Sequence, residues 1–197
     1  MCWKKLALIL CCSFAVSGVQ AHDESGERYP FYGGFGLGFT ASDSDCDYHG
    51  YDCDGNDNSV KFFGGKRLHE NFAIELSYQD LGNIKDEQSD TVTTAAESTG
   101  LNLSFVGIIP FDQVGYFYGK IGAMAWETDY TRIDGATTTS SSDDGSDFTY
   151  GAGFAVQFQN KYEFRIEFER LNELDDRFTP GGDHITQFTF AGVINFD

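Results

Sequence analysis

The chain has 197 residues, which is room for one domain and a targeting segment. Hydrophobic residues make up 41% of it and aromatic residues 16%, and it has only three prolines, a composition that suits a β-sheet protein. Its formal net charge is −18, with 31 acidic residues against 13 basic ones, which excludes a nucleic-acid-binding surface because phosphate contacts require basic side chains.

The N-terminal segment, residues 1–21, has the three parts of a secretory signal peptide. These parts are the charged pair Lys4-Lys5, an apolar core at Leu6–Val16 and a small-x-small cleavage site at Val19-Gln20-Ala21. We expect cleavage after this site, which leaves residues 22–197 as a single mature domain. Without the lysine pair, 11 basic residues face 31 acidic ones, so the mature chain carries −20.

Two other interpretations of this segment are weaker. An uncleaved membrane helix needs about 20 apolar residues, and the apolar run is shorter than that. A lipoprotein needs small residues just before its cysteine, where Leu8-Ile9-Leu10 precedes Cys11.

An alternation of period two marks the segment from Phe72 to Gly82. Large apolar or aromatic residues alternate there with small or polar ones, which predicts a strand with one apolar face and one polar face. Seven further segments repeat the pattern. The eight predicted strands are 30–40, 59–67, 72–82, 98–109, 114–127, 147–158, 162–171 and 184–196.

The connections between these strands alternate in length. The long, polar and mostly acidic ones are 41–58, 83–97, 128–146 and 172–183, and the short ones are 68–71, 110–113 and 159–161. Outer-membrane barrels have short periplasmic turns and long extracellular loops, so both termini are expected in the periplasm. The third long connection contains TTTSSSDD, a low-complexity run that we expect to be mobile.

These observations predict an all-β protein, an eight-stranded antiparallel up-and-down transmembrane β-barrel preceded by a signal peptide. Its apolar residues would face lipid and its polar residues the lumen. The segment 162–171 supports this, because Glu163, Arg165, Glu167 and Glu169 alternate with aromatic and apolar residues. The alternative is a soluble, lipocalin-like barrel with its apolar face inside.

Four motifs in chain order carry a resemblance to a known family. They are YGGFGLGF, IELSYQDLG, FYGKIGAMAW and FRIEFERL, one each in the first, third, fifth and seventh predicted strands. From about Tyr29 to Phe196 the chain resembles the OmpA-like transmembrane domain, or small outer-membrane β-barrel, family. The chain stops after the eighth strand, so the resemblance does not extend to the peptidoglycan-binding domain of full-length relatives. Such barrels usually end on an aromatic residue, whereas here Asp197 follows Phe196.

The resemblance implies a network of charges in the lumen. In this family an inward glutamate on the third strand meets basic residues on the fifth and seventh. The matching positions are Glu75, Lys120, Arg165 and Glu167. A further lumen glutamate, common on the sixth strand of relatives, is replaced by Ala155, so a smaller or differently wired network is expected. The network would either plug the barrel or act as a gate for small ions.

The first long connection holds two further candidate sites. Cys46 and Cys53 share this loop of an exported chain, where disulfides persist, so we expect them to be bonded. Asp52, Asp54 and Asp57 carry oxygen ligands of the kind calcium takes, but the spaced glutamate that closes a calcium loop is absent. A solvated acidic loop is the simpler interpretation.

Two remaining features bear on function. Five aromatic residues are expected as an interfacial girdle at the inner rim: Tyr29, Phe31, Tyr116, Tyr162 and Phe196. A catalytic cluster near the outer rim could use His184 and Asp183 with Ser98 or Thr186, but their spacing matches no hydrolase motif.

The sequence therefore predicts a non-enzymatic, integral outer-membrane protein with a structural or surface-interaction role and no cofactor. Its alternatives are a narrow porin-like channel for ions or small solutes and a lipid-A-modifying barrel enzyme. Expected partners are outer-membrane lipid, lipopolysaccharide, the barrel-assembly machinery during insertion and an unknown extracellular molecule at the loops. We expect a monomer.

Overall fold

The computed structural model describes residues 31–42, 53–54, 56–89, 92–112, 114–135, 137–158, 161–171 and 184–196. Eight long strands follow one another: β1 (Phe31–Ser42), β2 (Asn56–His69), β3 (Phe72–Ser89), β4 (Val92–Asp112), β5 (Gly115–Asp134), β6 (Thr137–Phe158), β7 (Tyr162–Leu171) and β8 (Ile185–Phe196). A two-residue strand, Cys53–Asp54, pairs with the distal end of β3.

The eight strands close into a ring. Each strand pairs antiparallel with the next, and β1 pairs with β8. This closing seam runs without a register shift from Phe31 opposite Phe196 to Ser42 opposite Ile185. Closure satisfies the backbone hydrogen-bonding groups of both edges, as strands in hydrocarbon require. The predicted eight-stranded antiparallel barrel is confirmed. No helix among the described residues is long and apolar enough to cross a membrane.

Large apolar side chains face out of the barrel and polar ones face in. Ile109 is 68% exposed and Leu103 is 57% exposed, whereas Gln79 and Asn102 are completely buried. A lipocalin-like barrel would have the reverse arrangement, so the soluble alternative is wrong. The polarity of the two faces is that of a transmembrane barrel.

Buried apolar side chains form two clusters in the lumen. The cluster near the short turns contains Tyr32, Phe63, Ala73, Val106, Ile108, Tyr116, Tyr118, Ala155, Ala191 and Val193. The cluster toward the other end contains Leu81, Met124, Trp126, Leu171 and Ile185. On β7 four inward charged positions precede Leu171, so the second cluster caps the charged residues at that end.

Two of the connections predicted as loops are strand instead. The segment 83–97 is divided between β3 and β4, and the segment 128–146 between β5 and β6. The TTTSSSDD run is not a mobile loop: Thr137–Asp144 pairs residue by residue with Glu127–Asp134 around a turn at Gly135, whose φ is +57°. Beyond the bilayer both faces of a sheet meet water, so no polar–apolar alternation marks these strands.

Strands β3 to β6 are therefore much longer than the others, with 18 to 22 residues against 10 to 14. Their distal parts form a four-stranded antiparallel sheet that continues one side of the barrel wall. We call this the extended sheet: residues 83–89, 92–99, 127–134 and 137–147.

Candidate functional site

The four charged residues predicted from the sequence lie together in the lumen. Glu75 comes from β3, Lys120 from β5, and Arg165 and Glu167 from β7, and all four are buried. Lys120 Nζ lies 3.3 Å from Glu75 and 2.9 Å from Glu167. Arg165 Nη1 lies 3.1 Å from the second oxygen of Glu75. Successive side chains of a strand point to opposite faces, and these four all point into the lumen. The antiparallel register places them at similar levels along the barrel axis.

Four more charged residues, which the predicted network did not include, extend this cluster at both ends. At one end Lys61 binds Glu167 at 2.5 Å and Glu169 at 2.6 Å. At the other, Glu163 accepts hydrogen bonds from Arg165 at 3.1 Å and from Arg67 at 2.8 Å. Their inward alternation could be read from the sequence, but their partners could not.

The eight residues form one continuous ladder of ion pairs in which the sign of charge alternates. Its order is Glu169, Lys61, Glu167, Lys120, Glu75, Arg165, Glu163 and Arg67. Four cations face four carboxylates, so the ladder is neutral as a whole. A buried charge without a partner is strongly destabilising, and this arrangement leaves none of the eight without one.

Tyrosine hydroxyls fix three of the carboxylates. Tyr32 donates to Glu75 at 3.1 Å, Tyr116 to Glu163 at 2.6 Å and Tyr118 to Glu167 at 2.9 Å. The fourth carboxylate, Glu169, instead accepts from the amides of Asn102 at 2.5 Å and Gln79 at 3.3 Å. Each carboxylate is therefore held by neutral donors as well as by cations, which limits its freedom to change partners.

Aromatic rings surround the guanidinium of Arg165. Its Cζ lies 4.6 Å from the centroid of the Tyr32 ring, 5.4 Å from Phe63, 5.5 Å from Tyr118 and 5.9 Å from Tyr116. Such cation–π contacts strengthen when the site is desolvated, and Arg165 is buried here. We call these four rings the aromatic cage.

Glycines on the inner face make room for the cage. Gly65 lies opposite Tyr32, Gly34 opposite Phe63 and Gly153 opposite Tyr118 in the cross-strand register. A Cβ at any of these glycines would overlap the facing ring. Crowding by the opposed Phe63 ring thus explains Gly34, one of the inward glycines in the YGGFGLGF run of β1.

Tyr116 corrects one sequence prediction. It was assigned to the lipid-facing girdle, but it is only 4% exposed and its hydroxyl bonds Glu163 in the lumen. Tyr116 is separated from Tyr118 and Lys120 by an even number of residues, so all three lie on the inner face of β5. Phe31, Tyr162 and Phe196 are exposed on the outer face, and Tyr29 lies outside the described residues.

The lumen is filled rather than open at the level of its polar residues. Five side chains from five different strands are completely buried there: Gln79, Asn102, Met124, Leu171 and Gln187. An eight-stranded barrel is just wide enough for side chains to fill it. The ladder and the apolar cap therefore fill the lumen at the level of these residues.

The comparisons with known proteins agree with this architecture. The family described as outer membrane protein beta-barrel domain matches residues 8–196. The chain belongs to this family. As a family member it is a protein of the bacterial outer membrane. No curated protein sequence matches it.

Three solved barrels resemble this outer-membrane barrel in fold. Ail, the attachment invasion locus protein of Yersinia pestis, aligns with a TM-score of 0.56 at 15% identity, covering 86% of this chain and 100% of Ail. Neisserial surface protein A gives 0.59 at 10% identity, covering 85% and 97%. The N-terminal β-barrel domain of Pseudomonas aeruginosa OprF gives 0.50 at 12% identity, covering 86% and 100%.

The candidate disulfide and calcium residues of this outer-membrane barrel are only partly described. Cys46 and Asp52 lie outside the described residues, and Cys53 and Asp54 are described in their backbone alone. Asp57 accepts backbone hydrogen bonds from Asn58 at 2.7 Å and Asn83 at 2.5 Å. It thereby fastens the start of β2 to the bend of β3 at Gly82, whose φ is +84°.

Both sites therefore stay predictions. Within the described ranges, no group of three or more histidine, cysteine, aspartate or glutamate side chains is arranged to hold a metal ion.

Within the described part of the chain, no hydrogen bond joins the residues considered for catalysis to one another. The hydroxyl of Ser98 bonds that of Thr128 at 2.9 Å, and Asp183 lies outside the described residues. His184 is half-buried just before β8. This outer rim offers no nucleophile held by a base within the described part of the chain.

Proposed function

We propose that the protein is a non-enzymatic, monomeric outer-membrane barrel with a permanently filled lumen, which displays an acidic β-sheet at the cell surface. Both termini would lie in the periplasm, and the extended sheet outside. The observation that carries this proposal is the neutral, fully paired ladder of eight charges beneath an apolar cap.

The outer face supports the membrane part of the proposal. Its exposed apolar side chains would contact lipid and the acyl chains of lipopolysaccharide. The outward positions of β8 alternate as Phe188, Phe190, Ile194 and Phe196, the pattern that we expect the assembly machinery to read. A single closed ring needs no second copy to satisfy its edges.

The extended sheet supports the surface role. Glu97, Glu127, Asp129 and Asp144 are all exposed on its outer face. Ail has been crystallised in complex with the heparin analogue sucrose octasulfate. The carboxylates of the present chain would repel such a sulfated ligand, so a cationic extracellular partner is the better fit.

The orientation can be tested in intact cells with a membrane-impermeant maleimide. We expect a Ser140→Cys variant to be labelled from outside and a Glu70→Cys variant, in the short turn between β2 and β3, to be labelled only after lysis. Labelling of both residues, or of Glu70→Cys alone, in intact cells would refute surface display. Heat-dependent gel mobility would check that each variant forms a barrel.

A second candidate, a narrow ion channel, is favoured by one contact pattern. Lys120 Nζ lies within 3.3 Å of three carboxylates, those of Glu75, Glu167 and Glu169, and could exchange among them. In planar bilayers the filled lumen predicts no unitary conductance for the wild-type protein. Reproducible steps would establish the channel instead of the plug.

A further inference from the structure

The outer face of the barrel carries an open groove near the short turns. It has a volume of about 460 Å³ and lies across β1, β2 and β3. Its outward lining residues are Phe31, Gly64, Lys66, Leu68, Ile74 and Leu76, and we call it the glycine groove. All three strands are paired on both sides at this level. The groove is therefore shaped by side chains and offers no unpaired backbone.

Neighbouring glycines on two strands create the groove. Gly33 lies opposite Gly64 in the register of β1 with β2. The next outward pair toward the short turn is Phe31 with Lys66, and the next pair on the other side consists of two phenylalanines whose ring centroids lie 5.0 Å apart. Large side chains therefore flank the glycine pair at both ends, and the space between them is open.

Neither backbone conformation nor crowding requires glycine at these two positions. Neither residue has a positive φ, and the register of β1 with β2 has no bulge. A Cβ at Gly64 would meet only the carbonyl oxygen of Tyr32, at 3.6 Å, and a Cβ at Gly33 would come no closer than 3.4 Å to Phe196. These are ordinary contacts, unlike the overlaps at the glycines beside the aromatic cage. A strand glycine without a structural reason often marks a place where a ligand approaches the backbone.

Lys66 places a positive charge at the end of the groove nearest the short turns. It is exposed on the outer face, and its Nζ lies 5.2 Å from the centroid of the Phe31 ring. It forms no ion pair with a carboxylate that the structure describes. Its neighbours on the two adjacent strands, Phe31 and Ile74, are apolar. A lysine near the end of a membrane-spanning strand extends its ammonium group to the interface, where lipid phosphates lie.

We propose that the glycine groove binds one acyl chain of an anionic glycerophospholipid, whose phosphate pairs with Lys66. The chain would fill the space over Gly64 and gain dispersion contacts with the walls of the groove. The phosphate would accept a charge-assisted hydrogen bond from the lysine ammonium. The proposal rests on the proposed function, which places the short turns, and with them the groove, in the periplasmic leaflet of phospholipid.

Two other occupants fit the groove less well. The segment HDESGERYP, residues 22–30, precedes β1, but its charged and polar groups would be costly to place in a groove that faces hydrocarbon. A second copy of the chain, related by rotation about the membrane normal, would bring its own Lys66 to the same level. The two ammonium groups would repel each other in a medium of low dielectric constant. A phospholipid supplies both the apolar chain and the negative charge.

The test measures by native mass spectrometry which lipids the barrel retains after release from detergent micelles. The barrel is offered equal concentrations of phosphatidylglycerol and phosphatidylcholine with identical acyl chains. We expect one bound phosphatidylglycerol, retained about fivefold over phosphatidylcholine, which is the factor that one lysine contributes near an anionic headgroup. Failure to retain any lipid, or equal retention of the two, would overturn the proposal. Heat-dependent gel mobility would check that each variant forms a barrel.

Matched variants separate the groove from general attraction to the barrel. Lys66→Gln should make retention of the two lipids equal, whereas Lys161→Gln, exposed in the short turn before β7, should keep the preference. Gly64→Val should lose the bound lipid because its side chain occupies the groove. Gly119→Val, at an exposed outward glycine of β5, should retain the lipid.

Four results would contradict this assignment. A preference that survives Lys66→Gln, or is lost equally in Lys161→Gln, would mean that the lysine in the groove does not select the lipid. Equal loss in Gly119→Val would mean that the groove is not the site. Preferential retention of lipid A, offered beside phosphatidylglycerol, would assign the groove to lipopolysaccharide, and a dimer free of lipid would assign it to a second copy. Retention in micelles does not depend on orientation, so it can fail independently of surface labelling.

Discussion

At the scale of single residues, Glu75 joins the two halves of the charge ladder. One of its oxygens binds Lys120 at 3.3 Å, and the other binds Arg165 at 3.1 Å and accepts from the Tyr32 hydroxyl. No other carboxylate in the described ladder contacts both cations. Its removal would therefore leave two buried cations short of negative charge at once.

Glu75→Ala should lower the free energy of unfolding by about 3–5 kcal/mol, the cost of leaving a buried charge uncompensated. The measurement is the urea midpoint of the barrel refolded into lipid vesicles. Glu70→Ala is the matched control, because Glu70 is exposed in a turn, and it should leave the midpoint unchanged. Equal midpoints for Glu75→Ala and the wild type would rule out a stabilising ladder.

The cage glycines give a second residue-scale prediction. Gly65→Ala should destabilise the barrel by about 1–3 kcal/mol, because the new methyl group overlaps the Tyr32 ring and overpacks the lumen. Gly192→Ala is the control, since a Cβ there meets nothing within 4 Å. Urea titration of both variants should separate them; similar midpoints would mean that the cage rings can move aside.

At the scale of strands, the sequence predicted which residues face lipid and which face the lumen, but it underestimated the lengths of β3 to β6. The alternation from Phe72 to Tyr78 correctly predicted which residues of β3 face outward. Lipid requires apolar residues on the outer face of the strand, whereas the polar side chains of the lumen favour polar residues on its inner face. The distal strands 128–134 and 137–146 were predicted as loop. Water meets both faces of these strands, so their sequence shows no alternation of polar and apolar residues. Tyr116 was wrongly predicted to face lipid, although it lies four residues before the inward Lys120 and therefore shares its face of the strand.

The pairing of the ladder illustrates a different limit. Lys61 and Glu167 are 106 residues apart, yet they meet across the lumen at 2.5 Å. Alternation predicts that both side chains point inward. Whether they lie at the same level along the barrel axis depends on how each intervening strand pairs with the next, and no local sequence pattern encodes that pairing. The family resemblance supplied four of the eight charged positions, and the partners of the remaining four follow only from the closed ring.

A strand-scale prediction tests the outward apolar face. Leu103→Arg, on the lipid-facing side of β4, should cost about 2–4 kcal/mol, as expected for arginine near the bilayer midplane. Ser142→Arg, exposed on the extended sheet, should change stability by less than about 0.5 kcal/mol. Urea unfolding from vesicles would compare the two. A tolerated arginine at Leu103 would place that face out of the hydrocarbon.

At the scale of the whole molecule, charge is segregated. The ladder is neutral, with four cations against four carboxylates, while the full chain carries −18. The excess negative charge must therefore lie outside the ladder. Equal positive and negative charge in the ladder stabilises the plug. The excess negative charge outside the ladder creates an electrostatic field that would attract a cationic partner.

Replacing Lys61 and Lys120 together by methionine should convert the plug into a cation-selective path. Glu167 and Glu169 lose both of their cations and become two adjacent buried carboxylates, which would draw in water and cations. Planar-bilayer recording should then detect unitary steps that the wild type lacks. Adding Glu167→Gln and Glu169→Gln restores neutrality in nearly the same volume, so this fourfold variant should be silent again. Conductance in the fourfold variant would attribute the opening to lost packing instead of unbalanced charge, and silence in the double variant would mean that the aromatic and apolar layers close the lumen without the ladder.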